Sequence, residues 1–328
     1  MRKIELLIPK EKIAETIETL NKLFYEYSII EGETDALFII FTDVSGSKTT
    51  IDELKRIGIS TTYGQINIIP ILGLIPQKLG KTEKRPKLQS ISFEELYQMI
   101  EPSTHPDLLY IVFCVSAAIV AALGLIYNNV AVIIGSMVIA PLLGPIVGTS
   151  IGTVISDRKI LKRSLTTEFI GIFIAIVVGL LLGLLSASYI SGLSELPKEI
   201  MARTNPNVAD FGLAIASGIA AGLSFVSGVG TALIGVAVAA SLMPPAANVG
   251  LLLSIGRPEL ALGSLIILLI NVLCINFTCT ITFFIAGIKS PVQSKRMEKL
   301  TARTFRKHLL IVFFAILLLA VVIVLAII

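Results

Sequence analysis
Charge is scarce in this chain. Its 328 residues include 27 basic and 23 acidic ones, 15% in all, against roughly 25% in soluble domains. No Asp, Glu, Lys, Arg or His is expected inside an apolar run beyond its first turn or so, with Asp107, Glu168 and Asp210 placed at the entrances. That scarcity excludes a voltage sensor and argues against a proton relay, because a buried ionisable group would be the working part of either. Coupling would then use carbonyls and hydroxyls, as a sodium site can, or be absent altogether. Cysteine is scarcer still: Cys114, Cys274 and Cys279 lie in apolar runs without CxxC spacing, which makes them packing residues. The two histidines, His105 and His308, flank apolar runs and are read as structural. Neither G-x-S-x-G, H-E-x-x-H nor a phosphate loop occurs, so no catalytic site is expected and the chain is read as a non-enzyme. The opening MRKIELLIPKEKIAE has no uninterrupted apolar stretch, so no cleavable signal is expected and the first span is expected to target the chain.

What the chain does have is hydrophobic sequence, 54% of it, concentrated after residue 107. Seven spans are expected, at 108–126, 129–153, 166–190, 211–227, 230–254, 260–287 and 308–328. Arg158, Lys159, Lys162 and Arg163 follow the second span, and seven Lys/Arg lie between Lys289 and Lys307. With seven spans both basic segments fall on the side of the N-terminus, which puts that end in the cytoplasm and the C-terminus outside. Residues 1–72 read β-α-β-β-α-β, the order of a ferredoxin-like α+β domain. Residues 73–107 hold a basic linker and an amphipathic helix expected at the membrane interface, begun by the capping box Ser92-Phe93-Glu94-Glu95.

Sliding the chain by 100 residues lays Ile134, Gly135, Val138, Ala140, Leu142 and Pro145 on Ile234, Gly235, Val238, Ala240, Leu242 and Pro245. Three spans separate the matched points, an odd number. The pattern predicts an inverted 3+3 repeat, 108–190 and 191–288, followed by the basic loop 289–307 and one extra helix, 308–328. Within SMVIAPLLGPIVG and SLMPPAANVG, Pro141, Pro145, Pro244 and Pro245 are expected to break two helices, since each removes an N–H and clashes with the preceding turn. The new half-helices would aim positive N-termini at the breaks and favour anionic or polar groups. Gly144, Gly148 and Gly152 would admit a close neighbour. Candidate substrate-binding residues are therefore Asn128, Asn129, Ser136, Pro141, Gly144, Pro145, Gly148, Ser241, Pro244, Pro245 and Asn248. Asn128-Asn129 is equally readable as a turn between spans. Thr149, Ser150, Asn271, Asn276, Thr278, Thr280 and Thr282 are further polar residues of these spans.

The stretches NNVAVIIGSMVIAPLLGPIVG and GVAVAASLMPPAANVG resemble the domain-of-unknown-function 389 (DUF389) family of hydrophobic membrane proteins. The resemblance covers about 108–287. It implies a multi-span protein of a prokaryotic membrane and no particular activity. The residues themselves favour a transporter or channel for a small polar or anionic solute, with a cytoplasmic regulatory domain. A membrane-anchored sensor or scaffold and a lipid-handling protein are the alternatives. Expected partners are the bilayer, anionic headgroups at the basic segments, a small solute and a second copy of the chain. No nucleic acid is expected, and no cofactor is assigned.

Overall fold
A computed structural model of the chain describes residues 2–23, 25–42, 44–71, 93–192, 195–227 and 232–288. The expected basic linker at 78–87, the basic loop 289–307 and the seventh span 308–328 lie outside the described residues. Residues up to Tyr97 make up most of one compact unit and those from Gln98 onward most of a second.

The first unit is a four-stranded sheet with two helices. In chain order it runs β1 (Arg2–Pro9), α1 (Ile13–Lys22), β2 (Tyr27–Glu31), β3 (Asp35–Thr42), α2 (Val44–Arg56) and β4 (Gln65–Pro70). The strands lie in the order β2-β3-β1-β4, and every neighbouring pair is antiparallel. Alternation in β1 and β3 sends Ile4, Leu6 and Ile8 to the same face as their register partners Ile40, Phe38 and Ala36. That face, with Leu20 of α1 and Ile51 and Leu54 of α2, forms a fully buried core. In the first turns of α2, Ser47 and Thr50 are buried and Thr50 Oγ1 donates to the Gly46 carbonyl. A further helix, α3 (Phe93–Ile100), buries Leu96, and Glu95 forms an ion pair with Arg2 of β1.

The second unit is helical. Its elements are α4 (Leu108–Ile126), α5 (Val130–Ile139), α6 (Leu143–Ile155), α7 (Arg158–Leu185), α8 (Ala187–Ser191), α9 (Lys198–Met201), α10 (Val208–Ser227), α11 (Ala232–Ser254) and α12 (Pro258–Ile285). Among the described residues five helices are long and apolar enough to cross a membrane, or six spans if the bent pair α5 and α6 counts as one. The helix bounds recur at an interval close to 100: 108–126 against 208–227, and 158–185 against 258–285. Helix α7, about 42 Å long at 1.5 Å per residue, turns Phe169, Phe173, Leu181 and Leu184 outward and Gly171, Ala175, Gly179 and Gly183 inward. A large apolar face outside and a small-residue face inside is the arrangement of a helix surrounded by lipid. The small face serves a close contact with α11. A Cβ on Gly179 would strike the Ala247 carbonyl, and one on Gly250 the Ile176 carbonyl.

Three expectations are corrected. Helix α7 begins at Arg158 rather than 166, since Asp157 caps it by accepting from the Lys159 and Ile160 amides. The four basic residues thus occupy its first two turns instead of a loop. Glu168 consequently sits in the third turn, fully buried, and not at an entrance. Finally, only the first proline pair breaks a helix. Residues 140–142 separate α5 from α6 at an angle of 51°, whereas α11 runs unbroken through Pro244 and Pro245.

Candidate functional site
Two differences separate the motifs: Pro141 stands at the break where the second motif has Ser241, and only the second has a side chain that takes the carbonyl its proline frees. Pro245 has no N–H, so the Ser241 carbonyl, four residues earlier, loses its helical donor. Asn271 of α12 supplies a replacement, its Nδ2 donating to that carbonyl at 2.6 Å. A hundred residues earlier, Pro145 would leave the Pro141 carbonyl in the same state, but the residue at 171 is glycine and has no amide to offer. Gly171 also has no room for one, since a Cβ there would meet Leu142 and the Tyr110 hydroxyl. The first half therefore opens at 140–142, and α6 restarts at Leu143 with Pro145 in its first turn, where a missing N–H costs little.

Downstream of the break, α6 carries the glycine stripe. Gly144 lies against Ser103, Gly148 against Ser164 and Thr104, and Gly152 against Leu161, so the expected close approach exists and faces α7 and the turn before α4. Between these glycines, Thr149 and Ser150 reach other partners. Thr149 Oγ1 donates to Glu168 Oε2 at 3.4 Å, and Ser150 Oγ donates to the Asn276 carbonyl at 3.2 Å. Asn276 Nδ2 donates to Glu168 Oε1 at 2.9 Å and to the Val272 carbonyl at 2.9 Å. One residue before Glu168, Thr167 Oγ1 donates to the Thr104 carbonyl, and the Tyr110 hydroxyl donates to the Thr167 carbonyl, both at 2.8 Å. The result is a polar junction of α6, α7 and α12 built around one carboxyl group that is 2% exposed. No Lys, Arg or His side chain forms an ion pair with it among the described residues. Ser164, one turn before Glu168 on the same face of α7, is fully buried, and its Oγ has no partner.

The corresponding position in the second half is satisfied. Ser264 Oγ donates to the Arg203 carbonyl at 2.6 Å and accepts from Asn248 Nδ2 at 2.9 Å, while Asn248 Nδ2 also donates to the Ile200 carbonyl at 3.0 Å. Where the second half has Asn248 and Leu268, the first has Gly148 and Glu168.

The sequence-derived candidates separate accordingly. Asn128 takes a left-handed turn, φ 54°, and accepts from the Glu199 amide; Asn129 caps α5 by accepting from the Val132 amide. Both occupy the turn between α4 and α5. Ser136 is buried and donates to the Ile133 carbonyl inside its own helix, and Ser241 donates likewise to Ala237. Gly148 lies against Ser164 at the polar junction and Gly144 against Ser103, while Pro145 is in the first turn of α6 and Pro141 at the break. Pro244, Pro245 and Asn248 are buried in α11, where Asn248 joins a separate hydrogen-bond group with α9 and α12. The residue missed was Glu168. Its signal was Asp157 before a helix-forming basic run, which moves the start of the span eight residues upstream.

The same junction lies inside a recognisable family segment. Residues 137–277 match the model of the Domain of unknown function (DUF389). That bears out the resemblance seen in the two motifs. The DUF389 match takes in both proline pairs, the glycine stripe, Glu168, Asn271 and Asn276. The chain is also similar to the Uncharacterized protein MJ0678 of Methanocaldococcus jannaschii, 27% identical over 260 residues and covering 79% of each chain. No solved structure matches it.

Proposed function
We propose that the chain is an integral membrane transporter or channel for a small polar or anionic solute, which it moves rather than converts. The break at 140–142 is the observation that carries this reading. A helix interrupted at membrane depth is tolerated only where protein or a water-filled cavity receives its freed groups. Here the restarted helix α6 points its N-terminal amides at the break, which favours the negative end of a solute. It also carries its glycine stripe and Thr149 toward a buried carboxyl. The recurrence of helix bounds near 100 residues, with three spans between matched points, supports an inverted 3+3 repeat. In this reading the N-terminus is cytoplasmic, the first unit is a ferredoxin-like regulatory domain, supported by its β2-β3-β1-β4 order, and the basic segments meet anionic headgroups.

The test is solute flux into vesicles containing the full chain, screened over phosphorylated, carboxylic and polyol solutes. A flux that falls at least tenfold in a Pro141→Ala, Pro145→Ala double variant supports the reading. A flux unchanged in a folded double variant would sink it.

A further inference from the structure
Glu168 poses a problem of charge balance. Both its carboxyl oxygens are hydrogen-bonded, Oε1 by the Asn276 amide, which can only donate. An ionised carboxylate accepts at both oxygens, whereas a protonated one accepts at Oε1 and donates from Oε2 to Thr149 Oγ1. An ionised carboxylate without a counter-charge is costly to bury, by several kcal/mol even after the protein relaxes. No basic side chain pairs with it among the described residues. Around it, two oxygens remain without hydrogen-bond partners, Ser164 Oγ and Asn276 Oδ1. Unpartnered buried oxygens occur elsewhere in the helical unit, on Ser156, Asn248 and Asn271, but among the described residues none of those side chains hydrogen-bonds a carboxylate.

We propose that Glu168 and Ser164 of α7, Thr149 of α6 and Asn276 of α12 form a binding site for a monovalent metal cation of sodium's class. A single carboxylate balances a single positive charge, whereas a divalent ion would leave a net charge in the membrane. Hard alkali cations take oxygen ligands, and hydroxyl, amide and carboxylate oxygens are what this junction offers. The residues come from both halves of the helical unit, so an ion there ties α6 and α7 to α12. The inference rests on the transporter reading, in which the ion is the coupling ion. Its binding is measurable whether or not any solute flux is found.

The experiment is a thermal melt of the full-length protein in detergent, with sodium, potassium or N-methylglucamine chloride at constant ionic strength. A ligand that binds only the folded state raises the melting temperature in a saturable way. The expected result is a saturable rise with sodium over N-methylglucamine, lost in Glu168→Gln. Ser164→Ala deletes a hydroxyl that has no protein partner, so it folds whatever becomes of Glu168→Gln. It is expected to raise the sodium midpoint by about tenfold, roughly the worth of one lost ligand. Equal melting of the wild type in all three salts overturns the site. So does a melting temperature that follows pH and ignores sodium, because the neutralising ion would then be a proton.

Discussion
The two halves of the helical unit start from matching positions and end in different states. In the second half Asn271 takes the carbonyl that Pro245 frees, and Asn248 and the Arg203 carbonyl satisfy Ser264, although Asn248 Oδ1 and Asn271 Oδ1 keep no partner. In the first half the matching positions 171 and 148 are glycine, the helix breaks, and Ser164 keeps an unpartnered hydroxyl beside a buried carboxyl. What sets the first half apart is that its unpartnered hydroxyl shares a helix face with a buried carboxyl. Natural chains rarely keep orphaned buried polar atoms without a reason, and a ligand is a sufficient one. The difference lies in two glycines in place of two asparagines and in Pro141, which stands at the break where the second half has Ser241.

That contrast can be broken at its seam, where α7 of the first half meets α11 of the second. Gly250→Val would drive a branched side chain into the Ile176 carbonyl and the Leu180 amide. The cost should exceed the about 1–3 kcal/mol usual for overpacking, because the atoms met are backbone. The expected readout is loss of the monodisperse peak in size-exclusion chromatography. Asn271→Ala tests the second half directly. It strips the Ser241 carbonyl of its donor and should cost about 1–3 kcal/mol, the penalty of an unsatisfied buried acceptor. It should also raise hydrogen exchange around residues 241–249 with no change around 143–155. Equal protection in wild type and variant would mean that α11 tolerates its prolines for another reason.

Gly148→Ala acts on the other half and should cost somewhat less. Its methyl group would press on Ser164 Oγ and on Thr104 Cγ2, the latter at 3.0 Å. A small loss of melting temperature is expected, together with a weakened response to sodium. The same substitution at the fully packed Asn248 should lower stability and leave that response intact. The smallest effect belongs to the first unit, whose buried carboxyl does have a partner. Burial holds Glu95 above its ordinary value, although the Arg2 guanidinium beside it pulls the other way. The folded state thus holds that proton more tightly than the unfolded chain does. The resulting stability is full below the ordinary glutamate value, about 4.3, and is lost as pH rises through the raised one. Amide protection in β1 and α3 should decline slightly across that window, and Glu95→Gln should flatten the decline.

The chain's own pattern decides a good deal. Period-two alternation in β1 and β3 determines which face of the sheet is buried, and it is legible because a slip of one residue would turn every apolar side chain to water. The long apolar runs determine that five or six helices among the described residues can cross a membrane, and α4 falls on its expected bounds, 108–126. The recurring residues around 134–145 and 234–245 determine where the helices have counterparts. Only the tertiary structure decided what those counterparts do. Proline states locally that one carbonyl loses its donor; whether the helix then breaks depends also on what a distant helix can offer, here Asn271 or Gly171. Glu168 was hidden for a related reason. A basic run reads as a loop until a cap turns it into helix, and a carboxyl group at the edge of a sequence window becomes buried only when α6 and α12 close over it.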